Sequence, residues 1–220
     1  MSAGDPPAAP RLGRPPAAER REAGARPAGR DGRRVRDALL VVDFQRDFTP
    51  PDGALPVPGG NEIAARLNDL ARDDRFDLVV ATRDWHPADH PSFHGQGGPW
   101  PAHCVQGTAG AELHPALDRS EIDAVLDKGQ RLDTDGYSAF ESADLLRLLR
   151  EHGITRVTVV GLATDYCVLN TARDALREGF AVTVDISAVR AVDVTPGDGE
   201  RALAELARLG ADVADLSRGS

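Results

Sequence analysis

Ala38-Leu-Leu-Val-Val42 is an unbroken apolar run that ends in Asp43. A strand that is apolar at every position has no face to turn to water, so it belongs at the centre of a sheet covered on both sides, as in parallel α/β proteins. The same pattern recurs along the chain. Runs over Leu78–Arg83, Asp123–Asp127, Arg156–Gly161, Phe180–Ile186 and Ala211–Ala214 predict further strands. Helical spacing predicts helices over Asn61–Ala71, Glu141–His152, Cys167–Glu178 and Gly199–Leu209, with Leu145, Leu146, Leu148 and Leu149 making the apolar face of the second. The expectation is an α/β domain, doubly wound, with a mostly parallel sheet and helices on both faces. In such folds ligands bind beyond the carboxyl ends of the strands.

Residues 1–36 stand apart, rich in Arg, Pro, Ala and Gly and without apolar periodicity. They read as a disordered, dispensable extension, which leaves residues 37–220 as one domain. Nine Arg against Asp5, Glu19, Glu22 and Asp31 give the extension +5, so a chain of −9 overall carries −14 in the remainder. An acidic domain is a poor partner for nucleic acid. A polyanion-binding arm or a targeting peptide are the other readings of the extension, the latter opposed by its Pro and Gly content. No apolar run approaches the roughly 20 residues that span a bilayer. Cys104 and Cys167 are too few for a disulfide framework, so a reducing, cytoplasmic setting without membrane attachment is expected. Homo-oligomerisation is left open.

Chemistry-bearing residues gather at the predicted strand ends. Asp43, Asp84 and Lys128 each follow a strand, and Cys167 follows the strand Val157 to Val160 on a strand-to-helix elbow. A thiol at a helix start faces unpaired N–H groups that favour the thiolate, which makes Cys167 a candidate nucleophile. The plain alternative is a small buried hydrophobe. Asp43 and Lys128 would supply the base and the positive group that such a thiol needs, or would form an ordinary ion pair, with Asp127 as another partner for Lys128. The long segment from Trp85 to Arg119 is Pro-, Gly- and His-rich, and loops of that length are usually functional or disordered. Asp84, His86, His90 and His103 together form a donor set for zinc, manganese or iron, with Cys104 either a soft ligand or a packing residue.

Four segments, taken in order, carry a resemblance: Val42-Asp-Phe-Gln-Arg-Asp-Phe48, Arg83-Asp-Trp-His-Pro-Ala-Asp-His-Pro-Ser-Phe93, Trp100-Pro-Ala-His-Cys-Val-Gln-Gly-Thr108 and Gly161-Leu-Ala-Thr-Asp-Tyr-Cys-Val168. From about Ala38 onward the chain resembles the nicotinamidase (pyrazinamidase) branch of the isochorismatase-like cysteine hydrolases. The resemblance implies a catalytic triad of Asp43, Lys128 and Cys167 and one divalent metal ion on Asp84, His86 and His103. His90 matches a histidine that is a fourth ligand in some members only. It further implies a cis peptide at Leu162-Ala163, an oxyanion hole from the N–H groups of Ala163 and Cys167, and a substrate pocket at Phe48, Trp100, Tyr137 and Leu162. The implied reaction is hydrolysis of nicotinamide to nicotinate and ammonia through a thioester, in NAD salvage, with pyrazinamide as a further substrate. Competing expectations are a related amidase acting on a carbamoyl or ureido substrate, a hydrolase in which metal-bound water attacks, and a non-catalytic pyridine-binding protein.

Overall fold

Every residue of the first strand, β1 (Asp37–Val42), is buried. Ala38, Leu40 and Val42 enter one core while Leu39 and Val41 enter the other, so the two-residue side-chain period feeds both faces of the sheet. The computed structural model describes residues 35–217. The expected extension, through residue 34, lies outside the described residues.

The remaining strands are β2 (Phe76–Asp84), β3 (Ala124–Lys128), β4 (Arg156–Leu162), β5 (Ala181–Arg190) and β6 (Asp212–Ala214). They form one sheet in the order β3-β2-β1-β4-β5-β6, and every pairing is parallel. The chain builds outward from β1 to β3, then returns to the other side of β1 at β4. That reversal puts a topological switch point between β1 and β4.

The helices are α1 (Ala64–Arg72), α2 (Ala143–Glu151), α3 (Leu169–Arg177) and α4 (Asp198–Leu209). Leu145 and Leu149 of α2, Ala172 and Ala175 of α3 and Leu206 of α4 pack on one face. The opposite face is covered by Leu67, Leu70 and Ala71 of α1, together with Phe44, Phe48 and Val57 and with Cys104, Ala111 and Leu113 from the long loop. Helices on both faces are therefore present, though irregular chain covers much of the second. No helix among the described residues is long and apolar enough to cross a membrane.

Several boundaries differ from the sequence expectation by one to three residues, β2 starting at Phe76 and α1 at Ala64 among them, and two differences are larger in consequence. β5 runs on to Arg190 rather than ending at Ile186, because its register against β4 shifts between Val184, opposite Val159, and Val189, opposite Gly161. The helix expected from Cys167 begins with a wide π-type turn over Thr164–Val168, closed by Val168 N–H donating to Ala163 O at 3.1 Å, before α3. Cys167 thus sits inside the turn. Such turns are frequent at functional sites.

Candidate active site

The strand ends converge on Lys128. Its Nζ donates to Asp84 Oδ1 at 2.6 Å, to Gly136 O at 2.7 Å and to Cys167 Sγ at 3.5 Å, and lies 2.8 Å from Asp43 Oδ2. The side chain has no exposed surface. Register explains the meeting: Asp84 and Lys128 are paired residues of β2 and β3, while Asp43 and Cys167 follow the adjacent strands β1 and β4. Asp127 does not partner Lys128; it binds Arg83 on the other side of the strand.

Asp43 adopts φ 48, and its N–H is held by Thr82 O at 3.2 Å. Thr82 Oγ1 donates to Asp43 Oδ1 at 2.8 Å. Oδ2 is buried and carries no aligned hydrogen bond, which leaves a lone pair at the site. Burial pushes the Asp43 carboxyl up to about 6, against the pull of Lys128 and with help from Asp84. Burial acts on Asp84 too, but Lys128, His86 and His103 more than offset it and hold this carboxyl well below the usual range. Cys167 differs from the sequence expectation. Burial raises its thiol well above the ordinary value despite Lys128, and Asp43 and Asp84 push the same way. The resting group is a thiol rather than a helix-stabilised thiolate. Lys128 itself remains an ammonium, since the two carboxylates and the sulfur outweigh its burial.

Beside this cluster, ligand atoms of Asp84, His86 and His103 lie within 4.8 Å of one another. The loop that carries them folds back on itself through a bridge between His86 and Val105, with His86 N–H donating to Cys104 O at 2.9 Å. His86 Nδ1–H donates to Gly129 O and His103 Nδ1–H to Pro101 O, both at 2.8 Å. A carbonyl only accepts, so each ring holds a proton on Nδ1, which makes Nε2 the atom that would meet a metal, the outer-shell arrangement typical of metal-ligating histidines. His90 is fully buried, with its ring 4.1 Å from that of His86, but it lies outside the converging set. Its Nδ1 meets Ser92 Oγ at 2.8 Å and its Nε2 is an orphaned buried atom. Residues Asp84, His86 and His103 fit a divalent ion in donor chemistry, tautomer and spacing. Cys104 is no ligand: it packs wholly buried, its N–H held by Asp47 Oδ2 at 2.7 Å, and burial keeps its thiol protonated.

Beside the two clusters opens a recess lined by Phe48, Leu55, Val57, Trp100, Tyr137, Ala163, Tyr166 and Val192, with Asp84, His103 and Cys167 as its polar groups. Trp100 Nε1–H donates to Tyr137 Oη at 3.1 Å, and Trp100 meets Tyr166 edge to face at 5.0 Å. Phe48, Trp100 and Tyr137 line it as expected. Leu162 does not: it is the last residue of β4, wholly buried, with its side chain packed toward Gly60. The Leu162-Ala163 bond is cis.

Sequence reasoning missed several residues that build the site. Tyr166, Leu55 and Val192 reach the recess from separate segments. Gln45 takes Asp84 N–H on Oε1 at 2.7 Å and donates from Nε2 to Asp84 O and Ala111 O, both at 2.8 Å, so it fixes the backbone of a candidate ligand. Gly129, at φ 64, gives His86 its room, since a Cβ there would stand 2.5 Å from His86 Cε1. The adjacency of Gly129 to Lys128 was the available signal.

Comparisons with known proteins agree with this geometry. Residues 37–218 match the isochorismatase domain model. The chain is 41% identical over 204 residues to a nicotinamidase of Escherichia coli K12, covering 82% of this chain and 95% of the relative. Among solved structures, an L. infantum protein in complex with nicotinate superposes with a TM-score of 0.79 at 41% identity, covering 83% of this chain and 94% of that one. A pyrazinamidase of Pyrococcus horikoshii in complex with zinc gives 0.74 at 47% identity, covering 81% and 98%. The chain belongs to the isochorismatase family, alongside its nicotinamidases.

Proposed function

We propose that the protein is a metal-dependent cysteine amidase that hydrolyses nicotinamide to nicotinate and ammonia through a thioester on Cys167, returning the pyridine ring to NAD salvage as nicotinate, and that it also accepts pyrazinamide. The observation that carries this reading is the placement of Cys167 Sγ on the wall of an aromatic recess, 3.5 Å from a buried ammonium that also faces Asp43. A nicotinamidase and a nicotinate-bound structure among the relatives support the substrate class.

Asp84, His86 and His103 would hold the ion, with His90 beside them, and a bound zinc, iron or manganese supplies a Lewis-acid position for the pyridine nitrogen lone pair. Phe48, Trp100, Tyr137 and Tyr166 enclose the flat ring and exclude water from it. Asp43 Oδ2 takes the thiol proton as Sγ attacks the amide carbon. Lys128 holds the charge that develops on sulfur, which matters because a buried thiol does not ionise unaided. The N–H groups of Ala163 and Cys167 donate to the tetrahedral oxyanion, each worth roughly 3 to 4 kcal/mol by analogy with measured holes. Asp43 returns the proton to the departing ammonia, then activates the water that cleaves the thioester. Away from Asp84, His103 and Cys167 the walls of the recess are aromatic and aliphatic, which favours a heteroaromatic amide over a carbamoyl or ureido substrate.

Ammonia release from nicotinamide tests the reading. Purified protein carrying metal releases ammonia, chelation abolishes the release, and added metal restores it. A metal-loaded protein that leaves nicotinamide intact rules the reading out.

A further inference from the structure

The surroundings of the Lys128 ammonium have the composition of a metal site. Asp84 Oδ1 at 2.6 Å, Gly136 O at 2.7 Å, Asp43 Oδ2 at 2.8 Å and Cys167 Sγ at 3.5 Å supply two carboxylate oxygens, a carbonyl oxygen and a sulfur around one buried positive charge. Ligand atoms of Asp43, Asp84 and Cys167 lie within 4.8 Å of one another, as do those of Asp84, His86 and His103. Asp84 belongs to both sets, with Oδ1 on Lys128 and Oδ2 at 3.5 Å from His86 Nε2. A carboxylate shared by two neighbouring cation positions is the plan of a two-metal site. Here a side-chain ammonium fills one position.

We propose that Lys128 masks a second metal site, and that without its ammonium a divalent ion binds Asp43, Asp84 and Cys167 and captures the thiol as a metal thiolate. The inference rests on the reading above, in which Asp84, His86 and His103 hold a metal and Cys167 attacks. Asp84, His103 and Cys167 all line the same recess, so an ion that reaches the first set also reaches the second. Access therefore gives no selectivity. Thiolate is a strong ligand for zinc-like ions and coordination expels its proton, here to solvent, with the two carboxylates and the thiolate more than offsetting the charge of the divalent ion. A sulfur so held shares a lone pair with the ion and loses its charge to it, which makes it a poor nucleophile toward an amide. The ammonium prevents this by filling the space, by donating its three N–H groups to Asp84, Gly136 and Cys167 while pairing with Asp43, and by repelling a second cation. It assists the developing thiolate while leaving the sulfur free.

Cobalt reports the difference. Protein carrying one equivalent of Co²⁺ is titrated with more as wild type, Lys128→Met, Lys128→Ala and the double variant Lys128→Met/Cys167→Ala, reading bound metal and the near-ultraviolet thiolate-to-cobalt charge-transfer band. Wild type stops at the first equivalent and shows no band. The lysine variants take a second equivalent and gain the band, which the double variant lacks. A band in wild type overturns the proposal without recourse to any variant. So does a lysine variant that keeps the first equivalent yet takes no second and shows no band. Nicotinamide hydrolysis by wild type is assayed separately: its absence in protein that binds one equivalent counts against the proposed function, not against the masking.

Discussion

As the base of the proposed mechanism, Asp43 must be charged to accept a proton, yet it has no exposed surface. Burial settles the conflict by raising its carboxyl to about 6, so the base is half lost at that pH and lost completely as pH falls further. The account predicts that kcat/KM for nicotinamide drops about tenfold per pH unit below about 6, with a plateau above it. Initial rates across pH check this, and Asp43→Asn should lose about 10²- to 10⁴-fold in rate together with the acid limb. A limb centred in the ordinary carboxylate range would contradict the role of burial. The same residue shows where reading the sequence stopped short. Strand ends identified Asp43, Lys128 and Cys167 as neighbours, and the elbow suggested a depressed thiol pKa. The reversed direction depends on how deeply the three groups are enclosed, and residues from distant segments, such as Phe48 and Val57 beside Cys167 and Gly136 on Lys128, close around them without any local pattern at Cys167 announcing it.

At the scale of elements, the β1–β4 junction makes the site possible. Gly161, at φ 112, lies against β1 so closely that a Cβ would stand 2.0 Å from Val42 O. Gly161→Ala is therefore expected to lose about 2 to 4 kcal/mol of stability, from backbone strain and overpacking together, read as a lower urea midpoint with unchanged slope. An unchanged midpoint would mean that β4 has room the packing denies. Strand and helix positions were legible because each element carries its own period: the all-apolar β1, or Leu145 and Leu149 four apart on α2. The far end of β5 was not, since five residues from Val184 to Val189 cover the span of two in β4, an irregularity set by the partner strand. Leu162 likewise looked like a pocket residue by its place in the motif, and only the packing of the strand end turns it into the core. The aromatic wall was legible in part: Phe48, Trp100 and Tyr137 stood in recognisable segments, whereas Leu55 and Val192 arrive from loops without a chemical signature.

The whole molecule places its chemistry at the switch point of the sheet, where β1 to β3 lead outward one way and β4 to β6 the other. Among the described residues the backbone contacts of the domain begin at Arg36, whose carbonyl accepts from Thr155 and Arg156 N–H at 2.9 and 3.2 Å, and the family match begins at residue 37. Deleting residues 1–34 is accordingly expected to leave kcat/KM for nicotinamide within about twofold, since they precede the span matched by the family and terminal segments are where truncation is tolerated. A large loss would assign the extension a part in the site. The central claim is that Cys167 performs the chemistry while the aromatic recess and the metal-ligand set bind the substrate. Metal-loaded Cys167→Ala, measured beside wild type for nicotinamide affinity and for ammonia release, tests it most directly. The account predicts a Kd within a few fold of wild type and no detectable ammonia; ammonia release at an appreciable fraction of the wild-type rate would show that the thiol is not the nucleophile.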